Sequence, residues 1–338
     1  MHSHHSHSGE YVAHGVDPLD SMIAQAEAMG FETFCLTEHM PRIDTNFLYP
    51  EELESSEGDG AVALEKLQEN FSLFLKHAQS IKKAHPSGHP NIIIGTEVEG
   101  CDSHHIQYAK QLLKEHNDTL RFCVGSVHHI NGIAIDYDQA CWDEALLSFG
   151  NNFKEMLLSY FNLQYELLTV LQPMVVGHFD LFKLLLPANM TVNPLTGVVG
   201  KSDDTNSVPV TDLTYLDLWP EVKALVVRNL QYINSYGGAV EINTSALRKG
   251  LAEPYPSRNI AELVKLHNNG RFVLSDDSHG IKQVGTCYGA ALKYITETLH
   301  LKEMYYLREE TSGTATNLTL QSMPIDQFVS SDFWKQFP

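Results

Sequence analysis

The chain has 338 residues, 43% hydrophobic and 19% charged; that length suits one α/β barrel or two ordinary domains, and the composition excludes collagen-like, mucin-like and largely disordered chains. Its 23 basic side chains stand against 42 acidic ones, a net charge of −19, which argues against a nucleic-acid backbone or an anionic membrane as principal partner. Neither a 20-residue apolar run nor a basic-then-apolar leader is seen, so the expectation is a cytoplasmic protein acting on a small molecule.

The opening segment carries His2, His4, His5 and His7 interleaved with serines, a pattern read as native sequence rather than an expression tag. Asp17-Pro18 predicts a helix start and Gly30 its stop, and Phe31 to Leu36 predicts a strand. Leu64, Leu67, Phe71, Phe74, Leu75, Ala78 and Ile81 follow helical spacing, and Ile92 to Gly95 is the next strand. The alternation continues with a helix over 103–115, a strand over 121–127, a helix over 153–171 and a strand over 174–177. Residues 189–212, rich in Gly, Ser, Asn, Asp and Pro, read as a loop insertion. Helix 219–236, strand 239–242, helix 260–268, strand 272–274, helix 290–299 and strand 304–307 complete the pattern. Such β-α repetition predicts an α/β fold, a single parallel TIM-like barrel over residues 1–310 with a C-terminal extension over 311–338; an open doubly wound sheet is the alternative. Cys35, Cys101, Cys123, Cys141 and Cys287 are odd in number and widely spaced, so they read as reduced packing residues.

The 18 histidines, nearly as many as all Lys and Arg, are the unusual feature. Polar residues follow nearly every predicted strand: His5 and His7, Glu38 and His39, Glu97 and Glu99, His128, His178, Glu241 and Asn243, then Asp277 and His279. In a parallel barrel the C-terminal strand ends open on one face, so these residues converge, and a dense set of imidazoles and carboxylates there predicts a metal site. His5-x-His7 and Asp277-x-His279 each direct two side chains to one face. Glu38, Glu97 and Glu99 are left open as the carboxylate ligand. His2, His4, His77, His85, His89, His116, His267 and His300 are expected at the surface, His104, His105 and His129 at the surface or supporting the ligands from behind, and on spacing alone His14 is a loop residue.

The fragments HSHSGEYVAHG (5–15), LTEHMPR (36–42), GTEVE (95–99), GSVHHINGIAID (125–136), VGHFDLFK (176–183), EINTSALRKG (241–250) and SDDSHG (275–280), in that order, resemble the polymerase-and-histidinol-phosphatase (PHP) family, and within it the fungal-like monofunctional histidinol-phosphatase branch. The resemblance implies a distorted barrel of seven β/α units with a metal centre at the C-terminal strand ends. It implies His5, His7, His14, His39, Glu97, His128, His178, Asp277 and His279 as ligands of three divalent ions, zinc, iron or manganese. The activity it implies is hydrolysis of L-histidinol phosphate in histidine biosynthesis, by a metal-bridging hydroxide, with Asp277 and His279 catalytic. Arg248, supported by Arg42 and Lys183, is expected on the substrate phosphate, and Glu99, ahead of Asp102 and Glu253, on its ammonium. The alternatives are a broader phosphoesterase on the same fold and a metal-binding protein without turnover.

Overall fold

The structure, a computed structural model, describes residues 1–85, 89–200, 206–312 and 315–337. Seven parallel strands are ordered along the sheet as along the chain: β1 His2–Ser3, β2 Thr33–Leu36, β3 Asn91–Glu99, β4 Phe122–Ser126, β5 Val175–Val176, β6 Ala239–Asn243 and β7 Phe272–Ser275. The two edges meet where Ser6 and Ser278 form a parallel bridge. There the His7 N–H donates to the Ser278 carbonyl at 2.7 Å and the Asp277 N–H to the His5 carbonyl at 3.1 Å. The sheet thereby closes into the parallel barrel that the alternation predicts, with the seven strands that the family resemblance implies.

Side-chain alternation divides the strands into a floor and a rim. Cys35, Ile93, Val124, Val175, Ala239 and Val273 pack together as one apolar cluster, while Phe34, Leu36, Ile92, Ile94, Ile242 and Leu274 join the larger core shared with the helices. Period two then carries Glu97 and Glu99 onto the Ile93 face of β3, Glu241 onto the Ala239 face of β6, and Asp277 onto the Val273 face beyond β7. The apolar layer supports a polar layer at the C-terminal strand ends.

Besides shorter segments such as Pro50–Glu54 and Gln139–Leu147, the helices that alternate with the strands are α1 Leu19–Met29, α2 Gly60–Ala84, α3 Ser103–Glu115, α4 Phe153–Leu171, α5 Pro220–Tyr236, α6 Arg258–His267 and α7 Tyr288–Lys293, the last continuing through a π-helical turn, Tyr294–Thr298. Asp59, Asp102 and Asn152 cap α2, α3 and α4 by accepting N–H groups of the first turn. Gly30, left-handed at φ 79°, ends α1. Among the described residues, no helix is long and apolar enough to cross a membrane.

Four expectations change. Pro18 stands in extended conformation before α1 rather than opening it. The strand predicted at 304–307 is not an eighth barrel stave: it belongs to β8 Glu303–Ser312, paired antiparallel with β9 Ala315–Pro324, so the domain boundary at 310 falls inside a strand. Beyond it Phe328, Phe333 and Trp334 pack into the main core. Within 189–212, Thr191–Val192 pairs with Val208–Pro209; residues 201–205 lie outside the described residues. Finally, His2 and His4 are buried. The His4 Nδ1–H donates to the Leu274 carbonyl at 2.8 Å and Nε2 accepts the Leu307 N–H at 3.1 Å, joining β7 to β8.

Candidate metal centre

Glu97 is the hub of the polar layer. Its Oε2 lies 3.1 Å from His5 Nε2, 3.3 Å from His7 Nε2 and 3.1 Å from His39 Nδ1. Its Oε1 lies 2.9 Å from His178 Nε2 and 3.4 Å from His128 Nε2. Asp277 Oδ1 closes the first group, 3.7 Å from His5 Nε2 and 3.5 Å from His7 Nε2. His279 stacks on His7 at 4.3 Å between ring centroids. His14, at the rim, lies 4.7 Å from the His279 ring and 5.4 Å from that of His39. All nine residues expected as ligands therefore converge.

Among the described residues four sets of donor atoms lie within 4.8 Å of one another, and three of them are drawn from the expected ligands: His7, His39 and His279; His5, His7 and Glu97; Glu97, His128 and His178. Shared His7 and Glu97 link these three into one cluster. Asp277 holds its place in a left-handed backbone conformation, φ 48°, a strain that persists at sites where the surrounding structure over-determines it.

Whether these residues fit metal ions can be tested on their nitrogen atoms. His5 Nδ1 lies 3.1 Å from Glu241 Oε2; because a carboxylate only accepts, Nδ1 carries the hydrogen. His279 Nδ1 likewise donates to the Asp277 carbonyl at 3.0 Å. The remaining Nε2 of each is buried without a hydrogen-bond partner, as are both nitrogens of His7 and Nδ1 of His39. Several of these atoms approach carboxylate oxygens closely without hydrogen-bond alignment, the arrangement of lone pairs aimed at a common cation. The residues fit a multinuclear divalent centre.

The electrostatics agree. Burial would raise the Glu97 carboxyl, but the imidazoles of His5, His128 and His39 hold it well below the usual carboxylate range. Burial pushes His5 down, and Glu97, Glu241 and Asp277 more than reverse this, holding it well above its ordinary value. Burial and then the neighbouring His7 push His39 down to about 3. A cation displacing the proton on His5 satisfies the same carboxylates, so metal binding is coupled to proton release.

Of the carboxylates the sequence left open, Glu97 alone is shared among the donor sets. Glu38 Oε1 accepts the Ser8 N–H at 2.9 Å and the Ser8 hydroxyl at 2.6 Å, fixing the first loop. Glu99 lies behind the cluster, 2.6 Å from His39 Nδ1, 3.2 Å from His128 Nδ1 and 3.7 Å from Arg42 Nη2. Cys101 and His129 group with Glu99, but burial, followed by Glu99, raises the Cys101 thiol well above its usual range, keeping it protonated. Sequence reasoning gave Glu241 no role. It accepts from His5, from the His178 backbone N–H at 2.7 Å, from Asn243 at 2.7 Å and from the Ser275 hydroxyl at 2.5 Å. The legible signal was a glutamate on the inward face of β6.

A cleft of about 380 Å³ opens over the cluster, lined by His14, His39, Glu97, His128, His178, Asp277 and His279 together with Arg248, Lys249, Tyr49, Glu51, Asp136 and Tyr137. Arg248 reaches it while donating to the Asp276 and Asp277 carbonyls at 2.9 and 3.0 Å. The two other expected phosphate cations do not line it. Arg42 is buried, ion-paired to Glu52 at 2.6 Å and lying 4.4 Å from the Tyr49 ring centroid. Lys183 is ion-paired to Asp180 at 2.9 Å. The expected ammonium carboxylates are engaged elsewhere as well: Glu99 as above, Asp102 as the cap of α3, and Glu253 in accepting the Arg258 N–H at 2.8 Å. A larger cavity, about 1050 Å³, opens beside the N-terminal ends of β2 and β3 and is lined by none of the nine expected ligands.

Barrel topology and a histidine-carboxylate rim define a class, and the comparison with known proteins agrees: residues 3–245 match the PHP domain, so the chain belongs to the PHP family. Its place there is the fungal-like monofunctional histidinol-phosphatase branch: it is 53% identical over 337 residues, 99% of both chains, to the histidinol-phosphatase of Saccharomyces cerevisiae. It is 37% identical over 293 residues, 87% of this chain and 85% of the relative, to the Schizosaccharomyces pombe "Probable histidinol-phosphatase". Among solved structures, hisK of Listeria monocytogenes has the same fold, with a TM-score of 0.64 and 21% identity, covering 86% of this chain and 99% of that one.

Proposed function

We propose that this protein is a metal-dependent phosphomonoesterase that hydrolyses L-histidinol phosphate to L-histidinol and phosphate in histidine biosynthesis in the cytoplasm. The observation that carries the reading is Glu97, a buried carboxylate whose two oxygens face five imidazoles beneath a cleft edged by Arg248. The substrate follows from the activity named for the Saccharomyces cerevisiae relative, which is similar from end to end.

The centre would hold three divalent ions (zinc, iron or manganese) on His5, His7, His14, His39, Glu97, His128, His178, Asp277 and His279. Such ions would supply acidification of a bound water near neutral pH, the metal-bridging hydroxide expected from the resemblance, and positive charge for the phosphoryl oxygens. The protein's own groups do the rest. Arg248 faces the cleft with the N–H groups not spent on the Asp276 and Asp277 carbonyls, and binds a phosphoryl oxygen. Burial alone would raise the Asp277 carboxyl, but His5 and His279 hold it well below its ordinary range. Asp277 is therefore ionised at neutral pH and, as a carboxylate lining the cleft, would carry the one proton that the attacking water gives up on becoming hydroxide and pass it to the leaving alkoxide. His279, its Nδ1–H on the Asp277 carbonyl, keeps that loop in place. Arg42 and Lys183 support the site from within the fold by fixing Glu99 and Asp180.

The test is phosphate release from L-histidinol phosphate beside para-nitrophenyl phosphate and a phosphodiester. The proposal expects kcat/KM for histidinol phosphate to exceed both by orders of magnitude. Values within a few-fold of one another would establish a broad phosphoesterase instead.

A further inference from the structure

The cleft is electrically two-ended. Arg248 and Lys249 follow β6 and stand with Asp277 on one side. Tyr49 and Glu51 come from the connection after β2, at the start of the short helix Pro50–Glu54, and Asp136 and Tyr137 from the stretch after β4. Phosphate recognition accounts for the first group and leaves the second without a role.

The two acids differ in how they are engaged. Glu51 lies 3.7 Å from Nδ1 of His14, beside a residue expected to hold metal. Asp136 has no ion pair among the described residues, and the single hydrogen bond to its side chain is a long one, from the Tyr49 hydroxyl to Oδ1 at 3.5 Å. Its backbone is nevertheless well fixed. The Ile135 N–H donates to the carbonyl of His128, a residue of the metal cluster, at 2.9 Å, and the short strands His129–Ile130 and Ile133–Ala134 pair just before it. Beside Asp136, the Tyr49 and Tyr137 rings stack at 5.4 Å with 19° between their planes, and Arg42 lies against Tyr49.

A half-buried carboxylate with a free oxygen, rigidly tied to a ligand residue and flanked by aromatic rings, suits a primary ammonium. We propose that Asp136 is the specificity-determining residue that binds the ammonium of the substrate, with the Tyr49–Tyr137 pair as the wall against which the rest of the organic group packs. The role assigned to Glu99 from the sequence passes to Asp136, because Glu99 is occupied by His39, His128 and Arg42. This inference rests on histidinol phosphate being the substrate.

The experiment crosses enzyme with substrate: wild type and Asp136→Asn, each assayed on L-histidinol phosphate, on its analogue lacking the amine, and on para-nitrophenyl phosphate. The wild type is expected to prefer the amine-bearing ester to its des-amino analogue. In the variant kcat/KM should fall about 10- to 100-fold on histidinol phosphate, chiefly through KM, and stay within about two-fold on both esters without an amine, which also establishes that the variant is folded and metal-loaded. Equal losses on all three substrates, or no loss on histidinol phosphate, would overturn the assignment while leaving the proposed activity standing. A wild type that turns over para-nitrophenyl phosphate but not histidinol phosphate would refute the activity itself, and this inference with it.

Discussion

Replacing Glu241 by Gln tests how the barrel prepares its metal ligands. The side chain is fully buried and meets donors only: Oε1 faces the His178 N–H and the Asn243 amide, while Oε2 faces the Ser275 hydroxyl and His5 Nδ1. A glutamine must turn its NH2 toward one of these pairs. Against Oε1's partners it would oppose two fixed N–H groups. Against Oε2's partners the Ser275 hydroxyl can rotate to accept, but His5 must then move its hydrogen from Nδ1 to Nε2. Nε2 is the atom 3.1 Å from Glu97, so the substitution protonates the nitrogen meant for the metal. Loss of a carboxylate behind a metal-bound histidine weakens metal affinity about 10- to 100-fold, or roughly 1.4–2.7 kcal/mol at 1.36 kcal/mol per decade. The assay is competition of wild type and Glu241→Gln against a chromophoric chelator, with far-ultraviolet circular dichroism as the control for folding. A folded variant that holds metal as tightly as wild type would refute the tautomer argument.

Arg248→Ala should lower kcat/KM for histidinol phosphate by about 10²-fold, the scale of losing one charged donor at a developing oxyanion, and Arg248→Lys should recover little of it because a point charge does not reproduce the guanidinium fork; steady-state kinetics at wild-type activity for Arg248→Ala would remove it from the site. His4 should make the metal-free fold acid-sensitive. Burial holds its imidazole neutral down to about 4 in the folded state, against 6.5 when exposed, so between these values the unfolded chain binds the extra proton and stability falls as pH falls. The loss is about 2 kcal/mol between pH 7.5 and 5, read by urea denaturation, and His4→Phe should remove that component; an unchanged slope in the variant would contradict it.

Much of this molecule is legible in its sequence because two periodicities govern it. Helices 103–115 and 153–171 fall where spacing and caps place them, and alternation along Ile93, Glu97 and Glu99 orders the floor and rim of β3. Three features escape such reasoning, each for a tertiary reason. His4 looks like part of a polar tail, yet both ring nitrogens are satisfied by backbone from residues some 270 and 303 positions away. The strand beginning at Glu303 has the apolar pattern of a barrel stave, but the ring is already closed by Ser6 and Ser278, so it pairs with Ala315–Pro324 instead. Arg42, Lys183 and Glu99 lie near strand ends, where function gathers, and only the three-dimensional pairing reveals that their charges are answered internally. Asp136 is the converse: an unremarked residue at the end of a motif whose significance comes from what lies across the cleft.

The central claim is that hydrolysis depends on a multinuclear centre organised around Glu97. Its most direct test is a titration of metal-stripped protein with a single divalent metal, following bound metal per chain and phosphate release from L-histidinol phosphate in the same samples. Activity should be absent without metal, stay low through the first equivalent and rise only as further ions bind, because the donor sets share His7 and Glu97. Full activity at one bound ion per chain, or turnover that survives complete metal removal, would contradict the account.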